Sequence, residues 1–174
     1  MANNYRIFVE KYPEFQVEAA SLKAELNENL QLDLQSLRLL NVYDLFGFTP
    51  ELLEKSRYSV FGEIVTDKVS DECDLTGTRY IAVEYLPGQF DQRAASAVDC
   101  VHLIDPKTDV RIKSSKLIIL SGDTDDATIA KIKHYYINAV ESREKDLSKL
   151  TDAESAAVKP VPVLDGFTKM TDAD

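Results

Sequence analysis

The sequence predicts an α+β domain of two β-α-β-(β)-α-β halves related by a pseudo-twofold axis, with helices packed on an antiparallel sheet. Three observations carry that prediction. The chain repeats itself: IFVEKYPEFQVEAAS at 7–21 stands against IAVEYLPGQFDQRAAS at 81–96, with Val-Glu-x-x-Pro at 9–13 recurring at 83–87 and Ala-Ala-Ser at 19–21 recurring at 94–96. Each copy is a β-rich run followed by an apolar stripe at helical spacing. Similar strand-like and helix-like runs then follow in the same order, 36–42 against 114–120 and 51–61 against 128–137. A unit that cannot bury its apolar face alone can bury it against its own copy, and two units suit a closed domain better than an open array.

Residues 5–12 alternate and are rich in β-formers, which predicts a strand. Phe15, Ala19, Leu22, Leu26 and Leu30 then fall on one helical face. Residues 36–46 return to strand composition. Gly47 breaks the run, and Thr49-Pro50 supplies an N-cap with proline at the first position of a short helix over 51–57. Residues 58–66 read as a strand, and the polar stretch 66–78 as a connector. In the second half, 78–86 is a strand and Pro87-Gly88 a turn in which glycine permits positive φ. Phe90, Ala94, Ala97, Val101 and Ile104 form a second helical stripe. Residues 110–120 read as a strand or strand pair. SGDTDD at 121–126 offers caps for a helix turning Ile129, Ile132 and Tyr136 inward, and 137–144 reads as the last strand. The domain therefore spans 1–147, with halves at about 5–66 and 78–147. Residues 148–174, with KPVPV at 159–163, read as an extended linker to a following domain.

The chain has 174 residues, is 44% hydrophobic and carries a formal net charge of -10. That charge opposes binding to phosphate backbones, because nucleic-acid binders rely on clustered Lys and Arg. No 18-residue apolar run suggests a membrane span. The N-terminus lacks a secretory signal pattern, and Cys73 and Cys100 are sparse and unpaired, which together predict a cytoplasmic protein with free thiols.

No catalytic constellation stands out. Neither GxGxxG nor GxxxxGK[ST] occurs, so no phosphate-cradling loop is predicted. Cys100 and His102 are two apart on a helix and point in different directions, which disqualifies them as nucleophile and base; a buried cysteine and a surface histidine are expected. His134 has no partner at ligand spacing, and Asp123, Asp125 and Asp126 suit capping better than a calcium loop. No catalytic, cofactor-binding or metal residues are assigned. Two polar stretches are denser than a solvent face needs. LPGQFDQR at 86–93 gathers Gln89, Asp91, Gln92 and Arg93 around a turn and a helix start. INAVESRE at 137–144 places Asn138 as a helix C-cap candidate, followed by Glu141, Arg143 and Glu144. Both also suit solvated turns or an edge strand.

VEYLPGQFDQRAASA at 83–97, with INAVESRE some forty residues on, closely resembles the N-terminal domain of long-form phosphoribosylformylglycinamidine synthase. That enzyme is the glutamine-dependent ligase of purine biosynthesis. RIFVEKYPEFQVEA at 6–19 and SLRLLNVYDLFGF at 36–48 fit the same family. The likeness spans about residues 5–147, LPGQFDQR being its specific part; Asn138-Ala139-Val140 departs from the Asn-Pro-Val expected of relatives. The resemblance implies two fused copies of the small PurS subunit. It implies an ATP- and magnesium-dependent conversion of the formylglycinamide ribonucleotide to the amidine by the parent protein, with the ATP site and glutaminase triad further along the chain. It further implies that this domain docks the synthetase and glutaminase domains, supports ammonia transfer and has no activity of its own. The eight polar residues Gln89, Asp91, Gln92, Arg93, Asn138, Glu141, Arg143 and Glu144 become candidate interdomain contacts. A regulatory module binding a small effector between its halves stays open beside this reading.

Overall fold

A computed structural model describes residues 3–121 and 124–152. Ten regular elements follow in order: β1 (Asn3–Lys11), α1 (Val17–Leu30), β2 (Ser36–Phe48), α2 (Pro50–Ser56), β3 (Asp67–Ser70), β4 (Arg79–Tyr85), α3 (Gln92–Ile104), β5 (Arg111–Ser121), α4 (Asp126–Tyr136) and β6 (Ser142–Glu144). The strands form one open six-stranded sheet in the order β3-β1-β2-β5-β4-β6, antiparallel throughout. Its spine is the long β2·β5 pair, in register from Ser36↔Ser121 to Phe46↔Arg111.

Strand alternation assigns each side chain to one face of this sheet. On the helical face two apolar clusters form. Ile7 and Val9 of β1 and Tyr43 and Leu45 of β2 pack with Leu52 and Leu53 of α2 and with Ala94, Ala97 and Val101 of α3. Ile81 and Val83 of β4 and Ile118 and Leu120 of β5 pack with Leu22 and Leu26 of α1 and Ile129 and Ile132 of α4. The helix that follows β1 thus completes the cluster over β4, and the helix that follows β4 completes the cluster over β1. On the opposite face Phe8, Leu40, Val42, Ala82, Leu117 and Ile119 are buried, with Cys73, Leu75 and Leu147 packed against them.

Local signals account for the element ends. Thr49 caps α2 by accepting the Leu52 amide, with Pro50 at the first helical position. Asp125 caps α4 by accepting the Thr128 amide. Gly47 has φ +80°, and a Cβ there would stand 2.6 Å from the Asp109 carbonyl oxygen, so only glycine fits the end of β2 against that loop. Gly88 takes positive φ in the Pro87-Gly88 turn, as the sequence predicts.

Several expectations are corrected. Residues 58–66 are not a strand: Arg57–Phe61 is a turn of π-helix that continues α2. It turns Phe61 inward, with ring centroids 5.0 Å from Tyr43 and 6.2 Å from Phe48, and this packing overrides the β-forming composition. The strand comes later, as β3, inside the stretch read as a connector and beyond the boundary at 66. Residues 71–78, the rest of that stretch, place Cys73 and Leu75 against the sheet. Phe15 lies in a 3₁₀ turn before α1, and Phe90 precedes α3 with 74% of its surface exposed, so neither opens its helical stripe. Residues 137–144 hold only the three-residue β6. Asn138 is not the C-cap of α4, a position taken by Ile137. Cys100 is exposed, because the buried stripe of α3 runs through Ala94, Ala97 and Val101; His102 is half-buried. Asp123 and the tail from 153 lie outside the described residues. No helix among the described residues is long and apolar enough to cross a membrane.

Candidate functional site

The two polar stretches singled out in the sequence meet at one edge of the sheet. β4 runs into the Pro87-Gly88 turn, and β6 pairs with β4 through Val83↔Glu144, Glu84↔Arg143 and Tyr85↔Ser142. The Leu86 amide donates to the Glu141 carbonyl at 2.9 Å, and Gln89 Nε2 donates to the Val140 carbonyl at 3.3 Å. LPGQFDQR and INAVESRE, well separated in the chain, are thereby laced together.

Within this edge the eight candidate residues divide by role. Asp91 is structural: Oδ1 accepts the Ala94 amide as the N-cap of α3 and also the Ser114 hydroxyl at 2.9 Å, while Oδ2 accepts the Ser114 amide at 2.8 Å. Asn138 shapes the turn, its Oδ1 accepting the Val140 amide and its carbonyl the Glu141 and Ser142 amides. Arg143 donates through Nε to Glu84 at 2.8 Å, and Glu144 accepts Lys133 Nζ at 2.6 Å. Gln89, Gln92, Arg93 and Glu141 are exposed. Arg93 has one polar partner, the Tyr43 hydroxyl at 3.4 Å, and no carboxylate within ion-pair distance among the described residues.

Arg143 belongs to a charge network on the face away from the helices, which the sequence reading missed. Lys145 is buried, and its Nζ bridges Asp44 at 2.8 Å and Glu84 at 3.2 Å. Arg6 grips Asp44 with Nε at 2.6 Å and also donates to the Leu147 and Lys149 carbonyls. Five charged groups from β1, β2, β4 and the end of the chain's described part are held in one cluster. Buried charges are tolerated only when paired in this way. The one signal available in the sequence was Glu84 itself, the glutamate of the second Val-Glu.

A cleft of about 210 Å³ lies on the helical face, lined by Asn41, Tyr85, Arg93, Ser114, Lys116 and Tyr136 among others. Lys116 is held there by Glu18 at 2.7 Å, and burial pushes the Tyr136 phenol up from its ordinary value. Asn41 Oδ1 is buried without a hydrogen-bond partner among the described residues. On the other face burial pushes the Cys73 thiol up as well, with the Arg38 charge opposing it.

Fold and site together define an α+β open-sheet domain with a polar, partly apolar edge where its two distinctive motifs join. Compared with protein-family models, curated proteins and solved structures, the chain has no match.

Proposed function

We propose that this chain is the N-terminal, PurS-like domain of a long-form phosphoribosylformylglycinamidine synthase, acting as a scaffold without catalytic groups. In this reading it docks the synthetase and glutaminase domains of the same parent chain in the cytoplasm and supports ammonia transfer between them. The ATP, magnesium and glutamine chemistry belongs to those later domains.

The observation that carries the reading is a register match between two halves. Val9↔Val69 joins β1 to β3, and Val83↔Glu144 joins β4 to β6, so that Val9 corresponds to Val83 and Val69 to Glu144. Ile7↔Tyr43 joins β1 to β2 and Ile81↔Ile118 joins β4 to β5, in the same correspondence. The step from Val69 to Glu144 also carries α1 (Val17–Leu30) onto 92–105, against Gln92–Ile104 for α3. The sheet order β3-β1-β2-β5-β4-β6 reads the same from either end once β1, β2 and β3 are matched with β4, β5 and β6. The pseudo-twofold axis of this reading would pass through the Asn41↔Lys116 pair, which the correspondence maps onto itself. This register sets 39–45, rather than the 36–42 suggested by the sequence, against 114–120. Two fused PurS-like copies are what the sequence resemblance implies, and the LPGQFDQR and INAVESRE motifs that carry it lie at one edge.

The experiment is an assay for ATP-dependent conversion of formylglycinamide ribonucleotide, with glutamine or ammonia, by purified residues 1–174 and by the full parent chain. The reading expects turnover by the parent and none by 1–174, since capping groups cannot replace a phosphate-binding loop and a glutaminase triad. A second reading, an effector module, is favoured by the cleft at the Asn41↔Lys116 axis. A thermal-shift panel of amino acids and purine nucleotides tests it, because a bound ligand raises stability by RT ln(1 + [L]/Kd).

A further inference from the structure

The proposed correspondence of the halves brings out one ionic asymmetry. Carrying α1 (Val17–Leu30) onto 92–105 and 39–45 onto 114–120 sets Glu18 on Arg93 and Asn41 on Lys116. In one of the two related places the Glu18 carboxylate meets the Lys116 ammonium at 2.7 Å, joining helix to sheet. In the other, Arg93 and Asn41 make no such pair. The Arg93 guanidinium donates to the Tyr43 hydroxyl at 3.4 Å and meets no carboxylate within ion-pair distance among the described residues. The acids whose charge reaches it are engaged elsewhere, Glu18 on Lys116 and Asp91 on the Ala94 amide and Ser114. Arg93 and Asn41 instead line the cleft of about 210 Å³, together with Tyr85 and Tyr136.

The charges around this cleft select the ligand. Lys116 is balanced by Glu18, and Glu84, which also lines the cleft, is held by Arg143 and Lys145. That leaves one cation, Arg93, and one anion, the exposed Glu141, each lining the cleft without an ion-pair partner among the described residues. A phosphate monoester carries about -1.5 to -2, more than one arginine offsets, and Glu141 repels it. A molecule with one carboxylate and one ammonium answers both groups, and a planar guanidinium suits a carboxylate in particular. Pockets for drug-sized ligands run to roughly 300–1,000 Å³. The smaller volume here suits a ligand of amino-acid size better than a nucleotide.

We infer that this cleft binds a free L-α-amino acid, its carboxylate on the Arg93 guanidinium, its ammonium toward Glu141 and its side chain against Tyr85 and Tyr136. The ligand carboxylate supplies beside Arg93 the acid that Glu18 supplies to Lys116. The inference rests on the effector reading above and gives Arg93 a ligand in place of another domain.

Thermal melts of residues 1–174 with each free L-amino acid and with the purine nucleotides test it, followed by calorimetric titration of any that stabilise and of the matching 2-hydroxy acid. At least one amino acid is expected to raise the melting temperature, and its hydroxy acid analogue to bind more weakly. Arg93→Gln is expected to weaken Kd about tenfold or more while leaving the unliganded melting temperature unchanged, and Glu141→Gln to erase the preference for the amino over the hydroxy acid. An amino acid that binds Arg93→Gln as tightly as the unaltered chain overturns the inference, as does a hydroxy acid bound as tightly as its amino acid. Stabilisation by a nucleotide and by no amino acid overturns it and leaves the effector reading standing. Stabilisation by neither class overturns both.

Discussion

The backbone amide of Leu86 donates to the carbonyl of Glu141 across 2.9 Å, tying the turn after β4 to the turn before β6. The Tyr12 amide donates to the Thr66 carbonyl at the same distance, tying the end of β1 to the turn before β3. At the β4–β6 edge some polar residues hold the turns together and others face outward. The variants below separate the two groups.

Asp91 holds the edge. Asp91→Ala removes the cap of α3 and leaves the buried Ser114 without its carboxylate. Loss of a cap costs about 1 kcal/mol and an unpaired buried amide about 1–3 kcal/mol, so a loss of roughly 2–4 kcal/mol is expected in urea unfolding. Asp91→Asn, which keeps an acceptor, is expected to lose less than half as much.

Arg93 and Arg143 are expected to behave differently. Arg93 is exposed with a single long contact, so Arg93→Ala should change the stability of 1–174 by no more than about 0.5 kcal/mol. Under the proposed function, Arg93→Ala in the parent chain should lower glutamine-dependent activity through a lost contact to a carboxylate of another domain. Arg143→Ala strips a partner from the partly buried Glu84 and should lower the melting temperature of the isolated domain measurably.

Lys145 neutralises Asp44 and Glu84 away from solvent. Lys145→Ala leaves Asp44 to Arg6 and Glu84 to Arg143, each short of one charged hydrogen bond, and is expected to cost about 1.5–3 kcal/mol. Lys55→Ala, which removes an exposed partner of Glu51, should leave the melting temperature within error. Parallel thermal melts at one pH and salt concentration decide the comparison.

The turn that follows Lys145 carries a pH signature. The Ser148 hydroxyl first, then the Lys149 ammonium and the Ser148 amide, hold the Asp146 carboxyl down to about 2, below its ordinary 3.8. A depressed acid contributes its stabilisation fully above its ordinary value and loses it as pH falls through the lowered one. The Ser148 amide resonance, which reports the proton on the folded chain, should stay constant down to about pH 3 and shift with a midpoint of about 2. A midpoint near 3.8 in an NMR titration would contradict these bonds.

Much of this fold was legible in the chain. The stripes Ala19-Leu22-Leu26 and Ala94-Ala97-Val101, the Thr49-Pro50 start and the positive φ of Gly88 are local signals that tertiary structure leaves intact. What the sequence hid depends on distant partners. Residues 58–61 look like strand but turn helically because Phe61 finds Tyr43 and Phe48. β3, DKVS, looks like loop because it is a short edge whose buried Asp67 is recognisable only through Lys11 Nζ and the Glu63 amide. Of the candidate edge, the meeting of the two motifs is a matter of strand pairing that no spacing encodes. The Lys145 cluster joins four separate parts of the chain and has no linear signature.

The most direct test of the scaffold account is complementation. Glutamine-dependent formation of the amidine ribonucleotide is measured for the parent chain lacking residues 1–147, with and without residues 1–174 added in trans. The account predicts that the truncated chain is inactive with glutamine and that the added domain restores a measurable part of the full chain's rate. Full activity of the truncated chain without the domain would contradict it.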